Sequence, residues 1–139
     1  MWGVHVIMNL DAIAAAWAPR LLSILRIMAG LLLLEHATAK LFKFPVVPVF
    51  ANLELSSMFG ISAFFELIGG ALLVVGLFTR PVAFILSGMT AVAYFYAHVP
   101  RGFYPVLNGG ELAILFCFAF LYLAAAGPGP WSLDAQRGK

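Results

Sequence analysis

Charge is what this sequence has least of. Only 10% of its 139 residues are Asp, Glu, Lys or Arg, against roughly 25% in an ordinary soluble domain. A chain so poor in charge cannot cover a surface that faces water. The eight Lys and Arg are scattered singly and leave a net charge of +2. No basic cluster reads as a nucleic-acid footprint or a polybasic lipid anchor. Cysteine is nearly missing as well. Cys117 is the one cysteine, which excludes an internal disulfide and a CxxC pair for thiol chemistry or zinc, and no metal site is read. It lies in an apolar run and reads as a small buried residue. A nucleophile elbow, a phosphate loop and a metalloprotease pattern are all absent. Any chemistry would fall to Glu, His, Lys or Arg acting on protons.

What the sequence does have is apolar length, 63% of it hydrophobic. A helix needs about 20 apolar residues to cross the hydrocarbon core. Four stretches qualify: 21–42, 58–79, 81–99 and 108–126. The expectation is an all-α, multi-pass integral membrane protein, a four-helix bundle forming one domain over 1–139 with lipid around it. Residues 1–19 have no basic leader and are interrupted by Asp11. They read as an interfacial segment, with Trp2 and Trp17 near the headgroups, rather than as a signal peptide. Three residues or so around Arg80 join the second and third spans, which makes them an antiparallel hairpin. Residues 43–57 form a longer loop with Pro45 and Pro48 and room for a short helix.

Four crossings place both termini on one side. That side holds Arg20, Arg80, Arg137 and Lys139; the other holds Lys43 and Arg101, with Lys40 near its boundary. The small excess of positive residues points to termini in the cytoplasm.

Depth then sorts the polar residues, at 1.5 Å per residue. Glu35 lies about 5 Å past the middle of the first span, away from the termini, with His36 and Lys40 further on. Glu66 lies about 4 Å from the middle of the second span, toward the same side. His98 ends the third span there, and Asn108 and Glu111 begin the fourth. Every span thus brings a polar group to one half of the membrane. Arg26 is the exception, roughly 8 Å toward the termini. Charged groups at such depth cost a few kcal/mol and usually face the bundle interior. His36 and Lys40 share a face, while Glu35 points nearly opposite Arg26. Gly69-Gly70-Ala71 lets a neighbouring backbone come close.

Three readings stay open for the set Glu35, His36, Lys40, Glu66, Arg80, His98, Asn108 and Glu111. It is a buried charge network that holds helices in register, a polar cavity for a small quinone-like head group, or a proton or solute path. The last ranks lowest, because the half near the termini offers only Arg26. Haem held between His36 and His98 ranks below a quinone, since neither histidine carries a haem-attachment motif. His5 and the aromatic runs Tyr94-Phe95-Tyr96 and Phe103-Tyr104 read first as tail and interfacial belt.

Several short motifs resemble one family. Phe65-Glu66-Leu67-Ile68-Gly69-Gly70 followed by Gly76-Leu77-Phe78-Thr79-Arg80 is similar to the second span and turn of DoxX-type membrane proteins. Asn108-Gly109-Gly110-Glu111 and the tail Gly127-Pro128-Gly129-Pro130-Trp131-Ser132-Leu133-Asp134 look like that family too. His36 and Lys40 match its first span, with Ala37 where glycine is common. The resemblance covers about residues 20–134. It implies a four-helix bundle in a bacterial-type inner membrane, and Glu66, Arg80, Asn108 and Glu111 as the family's polar signature. It also implies a subunit of a quinone-linked oxidoreductase or of a membrane complex against oxidative stress. Protein subunits of such a complex, or further copies of the chain, are then the expected partners. Whether the chain is itself an enzyme stays open; the alternative is a scaffold or assembly subunit.

Overall fold

A computed structural model describes the backbone of residues 2–138 and the side chains of residues 9–138. The side chains of Trp2 and His5 lie outside the described residues. Every regular element among the described residues is helical. Helix α1 runs Trp2–Phe42, α2 Met58–Val75, α3 Thr79–Ala93, α4 Pro105–Asn108, α5 Glu111–Ala126 and α6 Leu133–Arg137. A π-helical turn, Tyr94–His98, and a 3₁₀ turn, Val99–Arg101, continue α3. The expected short helix in the first loop is a 3₁₀ turn at Pro48–Phe50.

Three helical stretches are long and apolar enough to cross a membrane: Asn9–Phe42, Met58–Val75 and Thr79–Arg101. With apolar side chains such as Leu31, Phe64, Ile68, Phe84 and Phe118 exposed on the outside, this is the surface of a membrane protein. Helix α5 is shorter, at 16 residues. It was expected to start at Asn108, but the backbone breaks at Gly109-Gly110 and the helix begins at Glu111.

The first helix also differs from expectation. Pro19 lies inside α1 instead of preceding it. A proline removes one helical hydrogen bond and crowds the carbonyl four residues back. Here that residue, Ala15, sits on an exposed turn, so nothing packed against it has to move. Residues 9–21 are exposed throughout, and α1 projects beyond the other helices at its N-terminal end.

Helix α1 packs chiefly on α2, and α3 on α5, with a lighter α2–α3 contact. Small residues set the α1–α2 distance. A Cβ on Gly30 would stand 2.9 Å from the Gly70 carbonyl oxygen, so the two backbones touch at this crossing. The apolar core is Ala29, Leu33, Leu73, Ala83, Leu86, Phe116, Phe120 and Leu123. The α2–α3 turn is a Schellman motif. Gly76 takes φ +71°, and the N–H groups of Leu77 and Gly76 donate to the Leu72 and Leu73 carbonyls. This turn sends α3 back antiparallel to α2, as the short link predicts. The C-terminal ends of α1 and α3 therefore lie with the N-terminal ends of α2 and α5.

Candidate functional site

The two ends of the bundle hold different polar structures. At the end where α2 turns into α3, Arg26 is fully buried. Its Nε donates to the Leu73 carbonyl at 2.8 Å and its Nη2 to the Trp131 carbonyl at 2.6 Å. Its Nη1 donates to the Pro128 carbonyl. The guanidinium fork thus ties α1 to the end of α2 and to the tail after α5. Ser23 Oγ accepts from the Trp131 N–H at 3.1 Å.

Asp134 closes the same knot. Its carboxylate accepts from the N–H groups of Phe78 and Thr79, each at 2.9 Å, where the positive end of α3 favours an anion. Partial burial pushes the Asp134 carboxyl up. The Thr79 and Phe78 N–H groups and the nearby Arg137 outweigh that and hold it below its usual range. Arg80 is exposed, and its Nη1 donates to the Ala124 and Ala125 carbonyls, which end α5. Carbonyls in the last turn of a helix have no intrahelical partner, so Arg80 caps α5 at the end away from the other candidate residues.

The other end holds a cavity of about 340 Å³, lined from α1, α2, α3 with its π turn, α5 and the first loop. Lys40 and Glu66 meet in its wall. Lys40 Nζ lies 2.6 Å from Glu66 Oε1, with 6% and 8% of the two side chains exposed. Lys40 also donates to Ser62 Oγ at 2.8 Å, and the Phe50 and Phe59 rings lie within 6.0 Å of its ammonium. Glu66 Oε2 is buried and accepts no hydrogen bond among the described residues. A buried carboxylate oxygen left without a donor is costly.

His36 and His98 line the same cavity. His36 meets Phe116 edge-on at 6.4 Å, and His98 stacks on Tyr94. The π turn that carries His98 widens the helix locally, a feature frequent at functional sites. His98 Nδ1 lies 3.0 Å from the Asn108 carbonyl oxygen. Because a carbonyl can only accept, the bond requires the proton on Nδ1.

Asn108 is buried and organises the rim of the site. Its Nδ2 donates to the Gly102 carbonyl at 2.9 Å, and its Oδ1 accepts from the Gly110 N–H at 2.8 Å. It thereby shapes the loop before α5 and fixes the His98 ring from outside the cavity lining.

Two candidates point elsewhere. Glu35 is exposed on the outer face of α1, with Leu31 and Leu32 beside it, and no hydrogen bond to its carboxylate occurs among the described residues. Glu111 is exposed in the first turn of α5, where an acid complements the helix dipole; its neighbours Leu112 and Ala113 line the cavity instead. The structure thus gathers His36, Lys40, Glu66 and His98 at one cavity, with Asn108 behind them. Glu35, Arg80 and Glu111 lie outside it.

Sequence reasoning missed Ser62, Phe50, Phe59 and Arg101 as parts of the lining. Ser62 had a signal, four residues before Glu66 on the same helical face. Phe50 had none, since a loop gives no periodicity.

The comparisons agree with the motifs. A family model described as DoxX matches residues 21–99. An uncharacterized protein of Haemophilus influenzae is 41% identical over 122 residues, covering 85% of this chain and 91% of the relative. No solved structure matches. The chain is a member of the DoxX family of membrane proteins.

Proposed function

We propose that this chain is a plasma-membrane (inner-membrane) subunit of a quinone-linked redox complex, and that it holds the ring head group of a lipid-soluble molecule in the cavity at Lys40 and Glu66. One observation supports this above the others. Replacing a buried ion pair by apolar residues of similar volume is often neutral or stabilising, so packing alone gives little reason to keep Lys40 and Glu66 ionic. Here both side chains of the pair line a cavity. The walls suit a flat ring: Phe50, Phe59 and Phe116 supply aromatic surface and Met89 a pliable one. The volume falls at the small end of ligand pockets, which span roughly 300–1,000 Å³.

In this reading the chain crosses four times with both termini in the cytoplasm. Helix α5 spans about 24 Å at 1.5 Å per residue, and the α4 turn with Gly109-Gly110 supplies the remaining height. The cavity then opens in the outer half of the membrane. The part of the chain is to bind and orient the ring.

Titration of the purified protein in detergent with a decyl-substituted benzoquinone tests the reading. The expected result is saturable binding that weakens at least tenfold in the double variant Lys40→Met, Glu66→Leu. Equal binding by both proteins overturns it.

Glu35 favours a second reading, an assembly subunit. A carboxylate that faces lipid near mid-bilayer costs a few kcal/mol, so a polar group on a partner helix is its natural cover. Under this reading Glu35→Leu leaves the fold intact and reduces the size of the native complex extracted from membranes. An unchanged complex argues against it.

A further inference from the structure

We infer that a second copy of this chain docks along the outer face of α1, its own α1 parallel to the first, and that the two Glu35 side chains meet at the seam. This is independent of the ring-binding reading. It rests on the assembly reading of Glu35 and gives that reading its partner.

Two sets of residues recur every seven positions along α1. Leu10, Trp17, Ile24 and Leu31 form one, and Ala14, Leu21, Met28 and Glu35 form the other, four residues on. Together they make the alternating three- and four-residue steps of a coiled-coil seam. Every one of them is exposed. The side of α1 that enters its own bundle lies opposite. Arg26 and Leu33 are buried there, at the position of the same heptads farthest from the seam. Pro19 has that position too, so its ring stays out of the seam.

Lipid alone does not cover this stripe. The segment Asn9–Phe42 has 34 residues, roughly 51 Å of helix against a hydrocarbon core of about 30 Å. Helix α1 is continuous from Trp2 to Phe42, so its N-terminal part follows the line of the span. Leu10, 61% exposed, then lies past the lipid, while Glu35 lies within it. The two ends of one stripe need opposite kinds of cover, apolar beyond the membrane and polar inside it. A partner helix that supplies both must outlast the membrane at the same end and carry a polar group at the depth of Glu35. The α1 of a second copy, inserted in the same orientation, has both properties.

In a parallel two-stranded seam each of these positions faces its own counterpart. The two Glu35 side chains therefore meet. As neutral carboxyls, each donates its O–H to the carbonyl oxygen of the other, which satisfies both without water. One polar residue among apolar ones in a seam also fixes register and the number of strands. Lys40 lies on the bundle side of α1, so the seam and the cavity do not overlap.

Cysteine cross-linking of the full chain in native membranes is the test. In a Cys117→Ala background, Leu21→Cys and Met28→Cys put a thiol on the seam. Phe64→Cys and Phe84→Cys put one on exposed faces of α2 and α3. Counterparts in a parallel seam stand within disulfide reach, so oxidation is expected to yield at least fivefold more dimer from the seam positions than from the controls. Glu35→Leu added to Leu21→Cys should lower that yield at least threefold. Glu35→Gln keeps a donor and an acceptor and should hold it within twofold. Equal yields at seam and control positions, no dimer from the seam, or an unchanged yield with Glu35→Leu each overturn the inference. A native complex that shrinks with Glu35→Leu while the seam thiols fail to link overturns it as well, and leaves the assembly reading standing with a different protein as partner.

Discussion

Arg26 and Lys40 are both buried cations of α1, and they are satisfied in opposite ways. Among the described residues, Arg26 donates only to main-chain carbonyls of Leu73, Pro128 and Trp131. Those carbonyls belong to the end of α2 and to the tail, and the fork is fully buried among them. Lys40 donates to side chains, Ser62 and Glu66, at the wall of a cavity, and the carboxylate it holds keeps one oxygen unmatched. Backbone acceptors fix a position. Side-chain acceptors leave capacity for something else. The end with the tail is therefore read as a fastening and the other end as a site, and the difference can be attacked experimentally.

The largest effect is expected at the fastening. Arg26→Ala leaves three carbonyls unpaired and a void at the tail, and should cost about 3–5 kcal/mol, read as a loss of thermal stability in detergent. Arg26→Lys should recover little, because a point charge cannot reproduce the planar fork. A mild Arg26→Ala phenotype would erase the distinction between the two ends.

At the site the single and double changes should separate. Lys40→Ala strands the buried Glu66 charge and should cost about 3 kcal/mol. Lys40→Met with Glu66→Leu removes both charges and should stay within about 1 kcal/mol of wild type. A double variant as unstable as Lys40→Ala would make the pair a structural element like Arg26.

Gly76→Ala comes next, at about 1–2 kcal/mol. Its φ of +71° is unfavourable for a side chain, and the added Cβ would lie 2.4 Å from the Ser132 Cβ. Proteolysis of the tail in the folded protein should rise with it, since the turn and the tail share that contact.

Asp134→Asn is the smallest, at about 1 kcal/mol, the usual value of a helix cap. The sign of its pH dependence follows from the lowered folded value. The Asp134 contribution is complete above the unfolded carboxyl value of about 3.9 and fades as pH falls through the lower folded one. The wild type should thus lose stability on acidification below about pH 4, and the variant should lose less. Thermal melts across pH 3–6 would show it.

Much of the site could be read in advance, but by depth more than by direction. Counting rise per residue put Lys40, Glu66 and His98 in one half of the membrane, and these three do share a cavity. The same counting included Glu35, which differs from Lys40 by five residues and so by about 140° around the helix. Direction would have set it apart, and the nearly opposite placement of Glu35 and Arg26 already held that information: Arg26 is buried and Glu35 is not. The partners of Arg26 left no trace in the residue pattern, because main-chain carbonyls occur at every position. The break at Gly109-Gly110 was visible as a turn, yet hydropathy alone ran the helix through it. The helical N-terminal segment was hidden by Pro19, which reads as a helix start and here interrupts one on an exposed turn.

The Arg26 fastening joins residues that are made far apart in time. Its partners at Pro128 and Trp131 follow it by more than 100 residues, so the first helix leaves the ribosome carrying a guanidinium whose acceptors have not yet been synthesised. Until the tail arrives, that charge has to stay near a watery boundary or borrow acceptors from the insertion machinery. A nascent chain that stops short of the tail never acquires them. The position of one arginine thus ties the final burial of the first helix to the arrival of the last residues of the tail.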